Sequence, residues 1–418
     1  MNTPEKRLHR VRDASLGRLV YIKLGVMMFM QYFMYAVWWM PLAAFLKSLP
    51  NLTPQQMTLI LCSSAIGSIT APFMGVIADR YLNAEKLLAG LNVMVAVFLL
   101  LAAQQTGYAG WMITVYLAMS CYMPTWGLTS SIAMTHVPSG QFPRIRMLGT
   151  IGWAASGLFS LVAVYLLGVP KFDGTELPLY CGSGVAIVAA LINLTLPKTP
   201  PMRKRAGKYS IVDILGLRIV SILKDRNFNR FLLVSFLAII PFTMYNVFGS
   251  MFLASQNVRN ITFTMGWGQI SELFFLLITT GILVKYGLKK AMFFGLLAML
   301  VRFMSFYASV EMGQQWWWFF CMGGILPHGL IFGLFFVAGQ VYTGNLVPQE
   351  YKAEAQGFLL FFIWGAGYLV GTLVNGKLIE YFDWPALFLI VSAMTAVAIV
   401  LLLVLFKNPS EGKSIVNK

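Results

Sequence analysis

The sequence predicts an all-α membrane protein with twelve transmembrane helices in two six-helix halves. Apolar residues make up 58% of the 418 positions and charged residues only 11%, whereas soluble domains are roughly a quarter charged. Apolar stretches of about 20 residues, the length needed to cross a bilayer, recur along the chain. One long connection rich in Lys, Arg and Pro, residues 197–228, divides these stretches six and six.

The first apolar stretch, 22–46, is longer than the roughly 7–15 apolar residues of a signal peptide, and it therefore predicts a first membrane span. The other predicted spans cover 56–78, 87–104, 111–134, 147–168, 179–196, 229–253, 265–284, 290–309, 316–341, 356–379 and 386–406. The predicted organisation is an N-terminal half (1–196), a basic cytoplasmic linker (197–228) and a C-terminal half with a short cytoplasmic tail (229–418).

The basic residues predict the orientation, because cytoplasmic loops of membrane proteins are enriched in Lys and Arg. With the N-terminus in the cytoplasm, 26 of the 31 lysines and arginines fall in cytoplasmic segments. The opposite side holds only Lys47, Lys171, Arg259 and Lys377. The net charge of +16 is therefore interpreted as a topology signal rather than a nucleic-acid surface, and both termini are predicted to be cytoplasmic.

The sequence contains no motif for ATP hydrolysis and no nucleophile with an adjacent base, which argues against an enzyme. The four cysteines are scattered singly, a spacing that predicts neither a zinc site nor a redox pair. No metal or cofactor is expected. A transporter of this kind would draw on an ion gradient.

A short motif recurs at the same place in each half. Gly75, Asp79 and Arg80 form a GxxxDR pattern after the second span, and Gly281 opens a related stretch after the eighth, with Lys285 in the position of the acid. The first copy resembles the loop motif of the major facilitator superfamily. The resemblance implies that the glycine allows two helices to approach and that the charged pair latches the cytoplasmic side.

Ionisable groups inside a membrane are costly and usually functional. Glu272 is the one acid well inside a predicted span, and Gln269 lies on the same helix face at i−3. This pair predicts substrate contact and, for Glu272, proton transfer; a structural hydrogen bond between helices is the alternative.

Two further ionisable positions lie in or at the end of predicted spans. Arg146 and Thr150 share a face at the start of span 5, where Arg146 is either a substrate contact or a membrane anchor. Arg302, near the outer end of span 9, has no predicted role and is expected to snorkel to the surface.

Polar groups among aromatic residues mark three other spans, and such faces suit a planar, uncharged, hydrogen-bonding solute such as a nucleobase. Packing between helices is the competing interpretation for each of them. His328 is in addition suited to proton exchange by its ordinary pKa. The residues concerned are Gln31 and Trp38 in span 1, Thr243 and Asn246 in span 7, and His328 and Phe332 in span 10.

The chain resembles the bacterial nucleoside:proton symporters of the major facilitator superfamily along nearly its whole length. The matching stretches are 122–125 (YMPT), 142–146 (FPRIR), 149–153 (GTIGW), 268–272 (GQISE) and 355–357 (AQG). The resemblance implies a central nucleoside site, and the positions of the family's substrate contacts are Arg146, Thr150, Trp153, Asn246, Gln269, Glu272 and Phe332.

Three positions depart from the uridine-carrying members of that family. A span-7 glutamine is Thr243 here, a span-10 tyrosine is His328, and an acid after the span-10 phenylalanine is Gly333. The missing acid leaves Glu272, with His328, as the predicted proton-coupling group. The stretches FPRIR and GTIGW and the His328–Gly333 combination look closer to the family's purine or xanthosine carriers.

The leading hypothesis is proton-coupled nucleoside uptake across the bacterial inner membrane by a multi-pass monomer that needs no cofactor and binds no nucleic acid. The alternatives are a sugar or drug carrier of the same fold, and a non-transporting membrane sensor. The predicted substrate-binding residues are Arg146, Thr150, Trp153, Thr243, Asn246, Gln269, Glu272, His328, Phe332, Gln31 and Trp38.

Overall fold

The computed structural model describes residues 4–138, 141–201, 226–347 and 352–407, and these residues are almost entirely helical. The predicted linker lies mostly outside the described residues, and the C-terminal tail lies outside them from residue 408 onward.

Each predicted span coincides with a helical stretch, and we number these stretches α1 to α12. The N-terminal half contains α1 (Pro4–Ser48), α2 (Pro54–Leu61 and Ser63–Arg80), α3 (Ala84–Ala103), α4 (Tyr108–His136), α5 (Phe142–Ala155, Gly157–Leu161 and the π-helical Val162–Leu166) and α6 (Leu177–Asn193). The C-terminal half contains α7 (Arg226–Ser255), α8 (Ile261–Tyr286), α9 (Leu288–Glu311), α10 (Trp317–Ile325, His328–Ile331, the π-helical Phe332–Val337 and Ala338–Asn345), α11 (Lys352–Leu359, the π-helical Leu360–Gly367 and Tyr368–Tyr381) and α12 (Trp384–Leu405).

Ten helices among the described residues are long and apolar enough to cross a membrane. The remaining two predicted spans correspond to α4, which is long but less apolar, and to α6, which is apolar but only 17 residues long. Hydrophobic length therefore located the long helices of the described residues. The largest differences from prediction lie at the helix ends, such as that of α1, which begins 18 residues before its predicted span.

Local sequence explains where several helices begin and where two are distorted. Thr53 and Gln56 form a capping box at the start of α2, with each side chain bonded to the other residue's backbone N–H. Asp383 caps α12 by accepting from the Ala386 N–H at 3.1 Å. The π-helical turns in α10 and α11, a distortion common at functional sites, bring Phe332 and Trp364 to a shared central space.

The two halves meet closely at the end of the bundle that is predicted to face outward. A Cβ atom built on Gly157 of α5 would lie 2.5 Å from the Cα of Phe263 in α8. Gly376 of α11 approaches Thr58 of α2 in the same manner. The Asn260 amide donates to the Tyr165 hydroxyl at 3.2 Å. This end is therefore closed between the halves.

The GxxxDR motif lies at the opposite end of α2. A Cβ atom at Gly75 would meet nothing within 4 Å, and the same holds for Gly281 in the second copy. No described atom approaches Gly75 closely in this conformation, and the close helix approach expected there stays a prediction. The Asp79 side chain lies outside what the structure describes, and the latch role of Asp79 and Arg80 stays a prediction.

Candidate functional site

A cavity of about 240 Å³ lies at the centre of the molecule and is lined by side chains from both halves. It extends from the middle of the helices toward the end that is predicted to face the cytoplasm. The lining comprises Tyr32, Tyr35, Ser64, Ser68, Ala71, Met123, Trp126, Gly127, Arg146, Thr150 and Trp153 from the N-terminal half, and Phe242, Asn246, Gln269, Glu272, His328, Phe332, Gln340, Leu360, Trp364 and Tyr368 from the C-terminal half.

A buried polar cluster forms the C-terminal wall of the cavity. The His328 Nε2 lies 3.6 Å from a carboxylate oxygen of Glu272 and 3.1 Å from the Gln269 amide nitrogen. Glu272 and His328 are 5% and 3% exposed, so bulk water barely reaches them. Gln269 and Glu272 lie three residues apart on α8 and therefore point to the same side. The turn at Leu326 and Pro327 in α10 precedes His328, which lies against them.

The N-terminal wall presents the complementary charge. The Arg146 guanidinium of α5 lies 4.3 Å above the Tyr32 ring, an attractive cation–π arrangement. Arg146 and Thr150 are the charged and hydroxyl neighbours of Glu272 across the cavity. Arg144, two residues earlier, is exposed. Arg146 therefore faces the cavity, whereas Arg144 has the position of a surface anchor.

Aromatic rings enclose the remaining space. Tyr32 lies between Trp126 and Trp153, with ring centroids 5.6 and 6.3 Å away. On the other side, Phe242 lies 5.7 Å from Trp364 and 6.1 Å from the His328 ring. The Asn246 amide lines the cavity between these walls, and it has no hydrogen-bond partner among the described residues. The site thus offers flat apolar faces, free amides and one cation.

Three residues predicted to bind substrate lie behind the lining rather than in it. Gln31 is fully buried and bonded to Asn92 and Thr125 at 2.8–3.2 Å. Trp38 is also 0% exposed. Thr243 accepts a hydrogen bond from Asn375 at 2.8 Å and ties α7 to α11. The polar groups of Gln31 and Thr243 bond to neighbouring helices, whereas the Trp38 indole N–H is buried without a partner among the described residues. None of the three lines the cavity in this conformation.

Several lining residues were not anticipated from the sequence. Tyr32, Trp126 and Trp364 supply much of the aromatic surface, and Ser64, Ser68 and Gln340 supply polar groups. Single aromatic residues in membrane helices are common, so only the helix face that each occupies could have singled them out. Tyr32 directly follows Gln31, and Trp126 directly follows the 122–125 stretch.

Arg302 does not snorkel, contrary to expectation. Its side chain is 0% exposed, its Nε donates to the Gly324 carbonyl at 3.0 Å, and its guanidinium lies 4.1 Å from the Tyr245 ring centroid. The partners are provided by α10 and α7, which enclose the side chain before it can reach the membrane surface. Arg302 supports the packing behind the cavity and does not line it.

The helices, the two halves and the cavity between them define a membrane transporter of the major facilitator fold. The xylose transporter XylE from E. coli, in a partially occluded inward-open conformation, shares this fold with a TM-score of 0.68, 13% identity, and coverage of 94% of this chain and 99% of that one. A crystal structure of the nucleoside transporter NupG matches with a TM-score of 0.80 and 25% identity, over 93% of this chain and 100% of that one.

Residues 19–411 match the family described as nucleoside H+ symporter, and the chain belongs to that family. YegT of Escherichia coli strain K12 is 32% identical over 402 residues, covering 92% of this chain and 93% of that protein. The nucleoside permease NupG of the same strain is 26% identical over 411 residues, covering 92% and 96%. The protein is therefore a multi-pass inner-membrane transporter and not an enzyme.

Proposed function

We propose that this protein takes up nucleosides together with protons by alternating access. The observation that carries the proposal is the central cavity, where Glu272, His328 and Gln269 of one half face Arg146 and Thr150 of the other. Substrate sites of such transporters lie at the midplane between the two halves. The affinity for a solute that contacts both walls depends on the relative position of the two halves. Alternating access requires this dependence.

In the proposed site, the polar groups of a nucleoside contact different walls of the cavity. The Arg146 fork can donate two hydrogen bonds to ribose or base oxygens. The amides of Asn246 and Gln269 can each donate and accept, which suits the mixed edge of a nucleobase. The rings of Trp153 and Phe332 offer flat faces for the base, with the rings of Tyr32, Trp126 and Trp364 beside them.

Glu272 is the proposed proton carrier. It is the one carboxylate in the described lining of the cavity, and it is nearly shielded from water. A proton taken from the outside would neutralise Glu272, and its release inward would restore the charge opposite Arg146. Gly333 offers no second acid, and a Cβ atom there would already lie 2.5 Å from the Thr279 hydroxyl. His328, 3.6 Å from the carboxylate, is the proposed partner in this exchange.

Uptake of radiolabelled nucleoside by cells that lack their own nucleoside carriers tests the function. We expect concentrative uptake that a protonophore abolishes, with purine and pyrimidine nucleosides as competitors to rank the bases. Uptake of no nucleoside at all would contradict the substrate class. Uptake that survives collapse of the proton gradient would contradict the coupling.

The same proposal extends to orientation and assembly. The proposal has both termini in the cytoplasm, and the distribution of basic residues supports this orientation. The cavity is complete within one chain, because both of its walls come from the same polypeptide. A monomer embedded in the lipid bilayer therefore suffices for transport.

A further inference from the structure

Asp173 lies in the connection between α5 and α6, at the end of the molecule where the halves touch, and its side chain is 0% exposed. A loop carboxylate at a membrane surface is ordinarily solvated, so complete burial of this one requires compensation. Burial raises the pKa of the Asp173 carboxyl, and hydrogen bonds from Thr262 and Ser160 act in the opposite direction.

The compensating donors come largely from the other half. One carboxylate oxygen accepts from the Thr262 hydroxyl at 2.6 Å, and the other accepts from the Thr262 backbone N–H at 3.0 Å and from the Ser160 hydroxyl at 2.8 Å. Thr262 is the second residue of α8, where backbone N–H groups have no partner within the helix. Asp173 therefore caps α8 from across the interface between the halves.

Further contacts lie close to Asp173 at the interface between α5 and the start of α8. The Ser160 hydroxyl also lies 3.2 Å from the Asn260 side-chain oxygen, directly before α8 begins. The connection that carries Asp173 is bonded to its own half through the Ser160 hydroxyl of α5, which donates to Asp173 at 2.8 Å. The Ser48 hydroxyl of α1 donates to the Phe45 carbonyl at 2.7 Å and lies 3.3 Å from the Gly174 carbonyl. Asp173 thus joins α8 of one half to α5 of the other through bonds at both of its carboxylate oxygens.

We propose that Asp173 is an outer latch, a carboxylate that holds the two halves together on the outward side and is released when that side opens. Separation of α8 from the connection removes both Thr262 donors at once. In the open state, water donates to the carboxylate in place of Thr262. The Asp173 carboxylate therefore has hydrogen-bond donors in both states. The latch rests on the alternating-access part of the proposed function and is independent of which solute is carried.

Distances between spin labels test the latch directly. Labels are placed on exposed outer positions of the two halves, Thr106→Cys and Gln315→Cys, in a protein whose four native cysteines are replaced by alanine. We expect Asp173→Ala to raise the population with long outer distances about tenfold, since the closed state would then bury unpaired donors. The control Glu176→Ala removes an exposed acid of the same connection and should change nothing.

A second label pair separates a latch from general loosening. Thr135→Cys and Lys285→Cys report the inner end, and alternating access predicts that inner distances shorten as outer distances lengthen. Thr262→Val, which removes one donor and keeps the side-chain shape, should shift the outer distances in the same direction by less. In the double variant it should add little to Asp173→Ala.

Three results would overturn the latch. They are outer distances in Asp173→Ala that match those of Glu176→Ala, inner distances that do not respond, and additive effects of the Asp173 and Thr262 changes. The measurement requires no nucleoside, so a failed latch and a failed nucleoside assignment are told apart. If Asp173→Ala does not yield folded protein, Thr262→Val alone still decides, because unchanged distances in that variant count against the proposal.

Discussion

At the scale of single residues, the proposed function depends on a small number of polar side chains in an apolar interior. Glu272 is costly to bury, and such a group persists in a membrane protein when it pairs with another group or moves a proton. The neighbours of Glu272 can pair with its carboxylate and can take part in proton transfer. His328 lies within 3.6 Å on its own half, and Arg146 and Thr150 face it across the cavity.

Replacing Glu272 by glutamine separates binding from coupling. Glutamine keeps the shape and the hydrogen-bonding capacity but cannot carry a proton, so we expect concentrative uptake to fall at least about tenfold. Exchange of labelled for unlabelled nucleoside across the membrane should persist, because exchange needs no net proton movement. The matched control is Glu311→Gln, an exposed acid at the end of α9. Normal accumulation by Glu272→Gln would remove this residue from the proton path.

At the scale of helices, close backbone contacts determine how the cavity walls are held. Gly152 of α5 abuts the Phe29 backbone of α1, where no side chain fits without a shift of one helix. Gly149, one turn earlier, contacts the Tyr32 ring at the cavity wall. The position of α5, which carries Arg146 and Thr150, therefore depends on its close packing against α1.

Gly152→Ala should consequently destabilise the protein by about 1–3 kcal/mol, the usual cost of overpacking a tight contact. It should also weaken nucleoside binding, because α5 must shift away from α1. Gly184→Ala is the matched control: Gly184 lies in α6 with open space around it, and the substitution should be neutral or stabilising by up to about 1 kcal/mol. Thermal unfolding in detergent measures the stability of both variants, and the added stabilisation by a nucleoside measures its binding. Equal melting temperatures for the two variants would show that the α1–α5 contact is not tight.

Helix positions were predictable from the sequence, whereas the face that each side chain occupies was not. Hydrophobic length is a local property, so every predicted span coincides with a helix. Gln31 was expected in the cavity but bonds to Asn92 and Thr125, because neighbouring helices decide which side of α1 is inside its half. Asp173 has the sequence position of an ordinary loop acid, and its burial depends on donors from α8 of the other half as well as on Ser160 of α5. Contacts between halves have no signature in a local sequence pattern.

At the scale of the whole molecule, the distribution of basic residues and the closure between the two halves distinguish the same two ends of the bundle. The sequence assigns 26 of the 31 lysines and arginines to segments predicted to be cytoplasmic. The central cavity extends toward that end, and the opposite end is closed by contacts such as those of Gly157 and Asp173. The structure therefore corresponds to an inward-facing state if the basic end lies in the cytoplasm.

Cysteine labelling in intact cells tests that orientation. Thr106 lies between α3 and α4 on the predicted outer side, and Thr135 lies at the inner end of α4; both are exposed. With the native cysteines replaced, we expect a membrane-impermeant maleimide to label Thr106→Cys in cells and Thr135→Cys only in inverted vesicles. The physical reason is the retention of Lys- and Arg-rich segments on the cytoplasmic side during insertion. The reverse labelling pattern would invert the topology, and the closed end with its Asp173 contacts would then face the cytoplasm.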